Sequence, residues 1–193
     1  MDGALSRPQV LYLHGFCSSP ASWKSRLLAE AMAARGLVGQ FCCPQLSPFP
    51  AQAMAEVASL IEAADGPVTL VGSSLGGHYA SFLAERYGLN AVLINPAVVD
   101  ALDLNKFVGE HANFHSGERF LFSQAHADEL RAQVRRPTPG RYWLLAEAGD
   151  EVLDYRQAVN YYAGCRQSIL PGGDHSFTRF PDFIPQILEY AGL

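Results

Sequence analysis

The sequence predicts an α/β fold in which a mostly parallel sheet of six strands carries helices on both faces. Short β-rich runs alternate with helical patterns along the 193 residues. Several of these runs are near-continuous in valine, leucine and isoleucine, which is typical of strands covered on both faces. The intervening segments can supply the crossovers that parallel strands need. We therefore expect a doubly wound sheet in a single domain over residues 1–193.

Six segments are predicted to form the strands of this sheet. Each is short and rich in β-branched or other apolar residues, and each is followed by a turn or a helical pattern. In chain order they are QVLYLHG (9–15), QFCCPQ (40–45), PVTLVGSS (67–74), NAVLINP (90–96), RYWLLAEAGD (141–150) and CRQSILPGG (165–173).

Helical patterns fill the gaps between the strands. The first helix is predicted to begin with Ser19 as its N-cap and Pro20 at the first helical position, and to end before Gly36. A second helix is expected over about 50–64, with further helices near 75–87, 155–163 and 182–191. Residues 97–140 are too long for a simple connector, so this excursion is a candidate lid or binding segment.

Composition and charge exclude several classes of protein. The formal charge is −5, and no basic run exceeds the pair Arg135–Arg136, so nucleic acid is not an expected partner. The N-terminal MDGALSRPQVLYLHGF has neither a signal peptide pattern nor a membrane span, so we expect a cytoplasmic protein. The four cysteines lack C-x-x-C spacing and are expected to be reduced and mostly buried: Cys17, Cys42, Cys43 and Cys165.

The segment VGSSLGGHYA (71–80) carries the strongest chemical signal. Ser74 stands between Gly72 and Gly76 in a G-x-S-x-G pattern, at the junction of a predicted strand and helix. On such a turn small neighbours let strand and helix approach closely, which exposes the serine hydroxyl. The Leu75 amide, at the start of the helix, would then point to where a substrate oxyanion forms. Ser74 is therefore a candidate nucleophile.

A base and an orienting acid are expected at the same edge of the sheet. His175 follows the last predicted strand in PGGDHSF, and Asp150 ends the strand before it in AEAGDEVLDY. Asp150 is better placed than the neighbouring acids, because Glu147 lies within the strand and the others lie past its end or beside the histidine. The resulting order of serine, aspartate and histidine is that of α/β-hydrolases.

A second oxyanion donor is expected after the first strand, in LYLHGF. Gly15 lets the backbone bend so that the Phe16 amide can face Ser74. His14 is expected to be a structural hydrogen-bonding residue, and His78 a packed or capping side chain.

The motifs together resemble those of the YqiA/YcfP family of small bacterial esterases, within the α/β-hydrolase superfamily. The matching segments span nearly the full chain: LYLHGFCSSP, PQL, VGSSLGGHYA, NPAV, GDEVLDYRQAVNYYAGCRQ and GGDHSF. Cys17 departs from the family pattern, in which asparagine is frequent. The resemblance implies a compact α/β-hydrolase fold that cleaves acyl esters of small molecules, with acyl-CoA thioesters as a further substrate class. It places the triad on Ser74, Asp150 and His175.

No cofactor or metal is expected. His111 and His115 are four residues apart, but Asn113 and Gly117 indicate irregular chain in this stretch, and no nearby cysteine or aspartate completes a ligand set. Phenylalanines in the excursion either line an acyl pocket or only pack: Phe107, Phe114, Phe120 and Phe122.

Two rival functions compete with an esterase. One is a catalytically inactive protein of the same fold that only binds a ligand, because fold alone does not establish activity. The other is nucleotide binding at GSSLGG, which lacks the lysine and the spacing of the known phosphate-binding patterns.

Overall fold

A computed structural model describes residues 7–193. Residues 1–6 belong to the N-terminal segment on which the cytoplasmic expectation rests, and they lie outside the described residues. The strands are β1 (Gln9–Leu13), β2 (Phe41–Cys42), β3 (Val68–Ser73), β4 (Asn90–Ile94), β5 (Gly109–Ala112), β6 (Arg119–Phe122), β7 (Tyr142–Glu147) and β8 (Arg166–Leu170). The helices are α1 (Trp23–Ala34), α2 (Pro50–Glu62), α3 (Leu75–Tyr87), α4 (Gln124–Ala132), α5 (Tyr155–Tyr161) and α6 (Phe180–Tyr190).

The predicted sheet is confirmed. Six strands pair in parallel in the order β2-β1-β3-β4-β7-β8, so that β3 lies inside the sheet with β1 and β4 as neighbours. Every connection within this sheet crosses over, which brings the carboxyl ends of the strands to one edge. The residues that follow β1, β3, β7 and β8 therefore share that edge.

Both faces of the sheet are buried, which explains the near-continuous apolar runs. Leu11 and Leu13 of β1 pack on the side that carries α2 and α3, whereas Val10 and Tyr12 pack on the side that carries α1 and α6. This alternation follows from the two-residue period of a strand. A strand with cores on both sides can hardly contain an unpaired polar side chain.

Several elements begin or end one to three residues from their predicted bounds, and for α1 and β2 the structure shows why. α1 begins at Trp23 with Ser22 as its N-cap, because Ser19 instead closes a turn in which its hydroxyl accepts a hydrogen bond from the Ala21 amide at 3.1 Å. β2 comprises only two residues, since Pro44 has no amide hydrogen with which to continue the ladder.

The cysteine prediction was only partly right. Cys17 is buried, but Cys42 is exposed on the short edge strand, and Cys43 and Cys165 are half-buried. Cys42 is exposed because β2 is the edge strand of the sheet, and Cys43, just past its end, packs only partly against the core.

The excursion over residues 97–140 is folded rather than loose. It contains two short 3-10 turns, the antiparallel hairpin β5-β6 and α4. Leu104, Phe122 and Leu130 are almost fully buried and join the core on the α2 and α3 side. Across the described residues 7–193, none of the helices has the length and apolar composition needed to traverse a lipid bilayer.

His78 of α3 is buried, as the packed-side-chain interpretation expects. Burial lowers its pKa to about 4, because the imidazolium form would lose its hydration. The folded protein therefore binds this proton more weakly than the unfolded chain, whose histidine titrates near 6.5.

We predict that His78 makes the protein less stable as the pH falls below about 6.5. Between pH 7 and pH 5 the free energy of unfolding should fall by about 2 kcal/mol more in the unmodified protein than in His78→Gln. Urea denaturation of both proteins at the two pH values measures this difference. Parallel pH profiles would show that His78 is not the titrating group.

Candidate active site

Ser74 occupies a sharp turn between β3 and α3. Its φ of 56° and ψ of −122° lie in a region that side chains rarely adopt. Three backbone hydrogen bonds hold it there. The Ser74 amide donates to the Ile94 carbonyl at 3.0 Å, and the Ser74 carbonyl accepts from the amides of Gly77 at 2.9 Å and Ala97 at 3.0 Å. Contacts with β4 and with the loop that follows it therefore hold the Ser74 backbone in this strained conformation.

Glycines permit this turn because the backbones touch. A Cβ at Gly72 would overlap the carbonyl of Gly76, and a Cβ at Gly76 would overlap the carbonyl of Leu13. A Cβ at Gly77 would lie 2.6 Å from the Cβ of Pro96. The spacing of glycines around Ser74 thus reflects close approach of α3 to β1, β3 and the loop after β4.

The structure brings together the three side chains predicted to form a triad. The Nε2 of His175 lies 3.1 Å from the Oγ of Ser74, and its Nδ1 lies 2.8 Å from the Oδ2 of Asp150. Ser74 and His175 are 101 residues apart in the chain. The side chain of Asp150 is 1% exposed and that of His175 is 22% exposed. The carboxylate is therefore shielded from solvent, whereas the imidazole is partly accessible.

Hydrogen bonds keep Asp150 ionised. Burial alone would raise the pKa of Asp150, but hydrogen bonds from His175 and from the amides of Leu153 and Val152 outweigh it and hold the pKa below its usual value. Those two amides donate to Oδ1 at 2.8 and 2.9 Å. Since the carboxylate only accepts, Nδ1 of His175 carries its proton, and Nε2 can accept the Ser74 hydroxyl hydrogen.

The neighbouring acids have other partners. Glu151 accepts a hydrogen bond from the backbone amide of His175 at 3.0 Å. Asp154 caps α5 by accepting from the amide of Arg156 at 3.0 Å. The Oδ1 atom of Asp174 is buried and has no hydrogen-bond partner within the described residues. Among these carboxylates, Asp150 is the one that contacts the imidazole.

Glu147 supports the histidine loop, a role that sequence reasoning missed. Its side chain is fully buried, and its two oxygens accept hydrogen bonds at 2.7 Å from Arg179 Nε and from the Asp174 amide. Asn95 connects the same loop to β4 and β7. Its side chain accepts from the Glu147 amide at 2.9 Å and donates to the carbonyls of Asp174 and His175. A carboxylate inside a predicted buried strand was the available signal, since it requires a partner.

Lys24 of α1 also fastens this loop. Its Nζ donates to the Ser176 carbonyl at 2.7 Å. Burial lowers the pKa of Lys24 to about 8, against the opposing influence of the carboxylates of Asp174, Asp150 and Glu147. The segment that carries His175 is thus held from α1, β4 and β7.

The segments that carry the two predicted oxyanion donors, Phe16 and Leu75, meet at Ser74 and line one cavity with it. A Cβ at Gly15 would lie 3.3 Å from the Cβ and 3.8 Å from the Oγ of Ser74, so this loop passes directly over the turn. Phe16 follows Gly15 in the chain. Leu75 begins α3, and its amide is one of those that the helix leaves without a carbonyl partner.

His14 has the structural role expected of it. Its Nδ1 donates to the Gly15 carbonyl at 3.0 Å, and its Nε2 accepts from the Leu46 amide at 3.1 Å. Burial lowers the pKa of His14, which keeps the ring neutral and able to accept. His14 thereby joins the loop after β1 to the segment after β2.

The hairpin of the excursion holds the loop that contains Phe16. The Phe16 ring contacts four aromatic rings edge to face at centroid distances of 4.9 to 6.1 Å: His111, Phe122, Phe120 and Phe107. At the hairpin tip, Asn113 Nδ2 donates to the Ser18 carbonyl and the Phe114 amide donates to the Cys17 carbonyl, both at 2.7 Å.

Two cavities meet at Phe16 and Leu75. The smaller, of about 80 Å³, reaches Ser74 and is lined by apolar side chains of the excursion and of the loop after β7: Ala97, Val99, Leu102, Leu104, Phe107, Phe122, Leu130, Val152 and Leu153. The larger, of about 570 Å³, opens toward the segment after β2 (45–49), α2 and the hairpin tip. Phe107 and Phe122 therefore line the small cavity, Phe120 lines the large one, and Phe114 is 80% exposed and lines neither.

The geometry around His111 does not suggest a metal site. His111 Nε2 lies 2.7 Å from the Phe107 carbonyl oxygen, and its ring stacks against Phe120. Within residues 7–193, no three histidine, cysteine, aspartate or glutamate side chains lie together in a way that could hold an ion.

Comparison with known proteins identifies the fold. The model of a family described as an uncharacterised protein family, UPF0227, matches residues 9–192. A putative hydrolase from Agrobacterium vitis S4 superposes with a TM-score of 0.74 at 20% identity, covering 96% of this chain and 88% of that one. Mouse alpha/beta hydrolase domain-containing protein 10 superposes with a TM-score of 0.71 at 18% identity, covering 96% of this chain and 90% of that one. A structure of the metagenome-derived lipolytic enzymes LipS and LipT superposes with a TM-score of 0.68 at 16% identity, covering 97% of this chain and 94% of that one. The fold is that of the α/β-hydrolases.

We predict that the Glu147–Arg179 pair is needed for stability. Arg179→Met should lower the free energy of unfolding by about 3 kcal/mol, because it leaves a fully buried carboxylate without its cation. Adding Glu147→Gln to that variant should recover part of the loss. Denaturant unfolding of both variants measures the coupling, and additive losses in the double variant would contradict a specific pair.

Proposed function

We propose that this chain, which belongs to the uncharacterised protein family UPF0227, is a serine hydrolase that cleaves carboxylic esters of small molecules. One observation carries the proposal. The strained turn presents Ser74 Oγ 3.1 Å from His175 Nε2, and Asp150 fixes the other ring nitrogen at 2.8 Å. This combination supplies a nucleophile, a base and an orienting carboxylate at the edge of the sheet where ligands bind.

The first half of the reaction forms an acyl-enzyme. His175 Nε2 takes the proton of the Ser74 hydroxyl as Oγ attacks the ester carbonyl carbon. The carbonyl oxygen becomes an oxyanion, which the amides of Phe16 and Leu75 stabilise. As the tetrahedral intermediate collapses, the bond to the alcohol oxygen breaks, and His175 returns its proton to that leaving oxygen.

The second half releases the acid. A water molecule gives a proton to His175 Nε2 and attacks the acyl carbon, and a second tetrahedral intermediate forms. Its collapse breaks the bond to Oγ, and His175 protonates Ser74. Asp150 stabilises the imidazolium in both halves through the Nδ1 hydrogen bond, without itself being protonated.

We predict that Ser74 is the nucleophile. A fluorophosphonate probe should label Ser74 in the unmodified protein, and His175→Ala should abolish labelling because the hydroxyl loses its base. Ser74→Ala should lower turnover of p-nitrophenyl butyrate by about 10⁴-fold or more while the far-UV circular dichroism spectrum is unchanged.

Phe114→Ala is the control for both measurements, since that side chain is exposed outside the two cavities. An inert Ser74 in the unmodified protein would favour the rival in which the fold only binds a ligand.

We predict a preference for short acyl chains. A cavity of about 80 Å³ holds about three water-sized groups, so acetyl to butyryl chains fit and decanoyl does not. The kcat/KM for p-nitrophenyl butyrate should exceed that for the decanoate by about tenfold or more.

Leu102→Ala enlarges the small cavity and should narrow this ratio. Leu121→Ala is the matched control, because Leu121 is exposed on the outer face of the hairpin. An unmodified protein that prefers decanoate would show that the acyl chain lies elsewhere.

A further inference from the structure

The chain at the end of β4 contacts both the Ser74 turn and the loop that carries His175. The Ile94 carbonyl accepts a hydrogen bond from the Ser74 amide at 3.0 Å, and the Ala97 amide donates to the Ser74 carbonyl at 3.0 Å. Between these two contacts, the side chain of Asn95 reaches the loop that carries His175. One short segment therefore contacts the backbones of the proposed nucleophile and of the proposed base.

The Asn95 side chain is 3% exposed, and both ends of its amide form hydrogen bonds. Its Oδ1 accepts from the Glu147 amide at 2.9 Å. Its Nδ2 donates to the Asp174 carbonyl at 3.0 Å and to the His175 carbonyl at 3.2 Å. These carbonyls belong to the peptide groups on the two sides of the His175 Cα atom. The two bonds together therefore fix the direction in which the imidazole leaves the backbone.

The backbone of Asn95 is itself held in place. Its φ of 40° lies in the left-handed region, which asparagine adopts more readily than most residues. Its amide donates to the Leu145 carbonyl at 2.9 Å. The ring of Pro96 fixes the next φ angle and packs against Gly77 of α3. The side-chain amide thus projects from a fixed point next to Ser74.

The other side chains that anchor this loop do not contact the Ser74 backbone. Glu147 and Glu151 accept hydrogen bonds from loop amides at 2.7 and 3.0 Å, and Lys24 donates to a loop carbonyl at 2.7 Å. Within residues 7–193, Ile94–Ala97 is the one segment that hydrogen-bonds both to the backbone of Ser74 and to the loop. The relative position of the two reacting side chains therefore depends on this segment.

We propose that Asn95 is a positioning residue that sets the distance between Ser74 Oγ and His175 Nε2 during the reaction. That distance is 3.1 Å, which is within reach for proton transfer. A displacement of about 1 Å is enough to cost about 10²-fold in rate. An amide suits the position because it faces one N–H group and two carbonyls, so that it must both accept and donate. This inference rests on the proposed ester hydrolysis and adds a residue that touches neither substrate nor reacting atoms.

The deciding variant is Asn95→Gly, assayed with p-nitrophenyl butyrate. Glycine adopts a positive φ freely, so this change removes the side-chain contacts without straining the backbone. We expect kcat to fall by about 10²-fold and KM to change by less than about threefold, because the ester site itself is untouched. The rate of fluorophosphonate labelling at Ser74 should fall in the same proportion as kcat, since both steps need His175 as the base. An unchanged kcat in the folded variant would overturn the proposal.

A second variant, Asn95→Asp, keeps the shape of the side chain and its acceptor for the Glu147 amide. The ionised carboxylate has no hydrogen to donate to the two loop carbonyls. We expect the same pattern of a lowered kcat with little change in KM. Activity equal to that of the unmodified protein would show that the donated bonds do not position His175, even if Asn95→Gly fails to fold.

Tyr142→Phe is the matched control for a general loss of stability. Tyr142 is 1% exposed at the start of β7, far along the strand from the site, and its hydroxyl donates to Glu85 at 2.6 Å. Both Tyr142→Phe and Asn95→Gly should unfold at a lower urea concentration than the unmodified protein. Only Asn95→Gly should lose kcat. An equal loss of kcat in both variants would show that loosening of the fold, and not the position of His175, is the cause.

The same measurements separate this inference from the proposed function. If Ser74 of the unmodified protein is not labelled, the proposed function is overturned together with the role of Asn95. If Ser74 is labelled and Asn95→Gly turns over the ester at the unmodified rate, only the role of Asn95 is overturned.

Discussion

The close approach of α3 to β1 and β3 is the constraint on which the site depends. Backbone atoms of Gly72, Gly76 and Leu13 are so close that no side chain fits between them. That contact forces the strand-to-helix connection into the positive φ of Ser74, and hydrogen bonds to neighbouring backbone groups keep it there. The exposure of the hydroxyl is thus a consequence of packing. The surrounding sheet holds the Ser74 backbone in its strained conformation.

A buried network of ion pairs and hydrogen bonds fixes the position of the loop that carries His175. Glu147 lies within a strand that is covered on both faces, and only the guanidinium of Arg179 and the amide of Asp174 make that carboxylate tolerable. Asn95 adds contacts to the same loop from β4. The residues that contact substrate in the proposed mechanism are therefore few, whereas the residues that fix their geometry are spread over α1, β4, β7 and α6.

Much of this architecture could be predicted from local pattern. The apolar runs located all six strands of the sheet, and the glycine spacing around Ser74 identified the turn, because both signals are contained in a few consecutive residues. The order of Ser74, Asp150 and His175 at strand ends anticipated their proximity. Long-range pairs could not be read in this way: Arg179 is 32 residues from Glu147, and nothing local joins them. The start of α1 was misplaced because serine is favoured at helix N-caps and at turns alike, and Ser19 forms a local turn instead.

The hairpin tip is bonded to the loop that bears Phe16, and the Phe16 ring is enclosed by the hairpin's aromatic face. A swinging motion of the excursion as a rigid flap would therefore break two backbone carbonyl contacts and uncover that ring. In the proposed mechanism, the excursion cannot swing open while the Phe16 amide stays in place to stabilise the oxyanion. Substrate is then expected to enter and leave through the large cavity beside α2, which is open in this structure and needs no movement of the excursion.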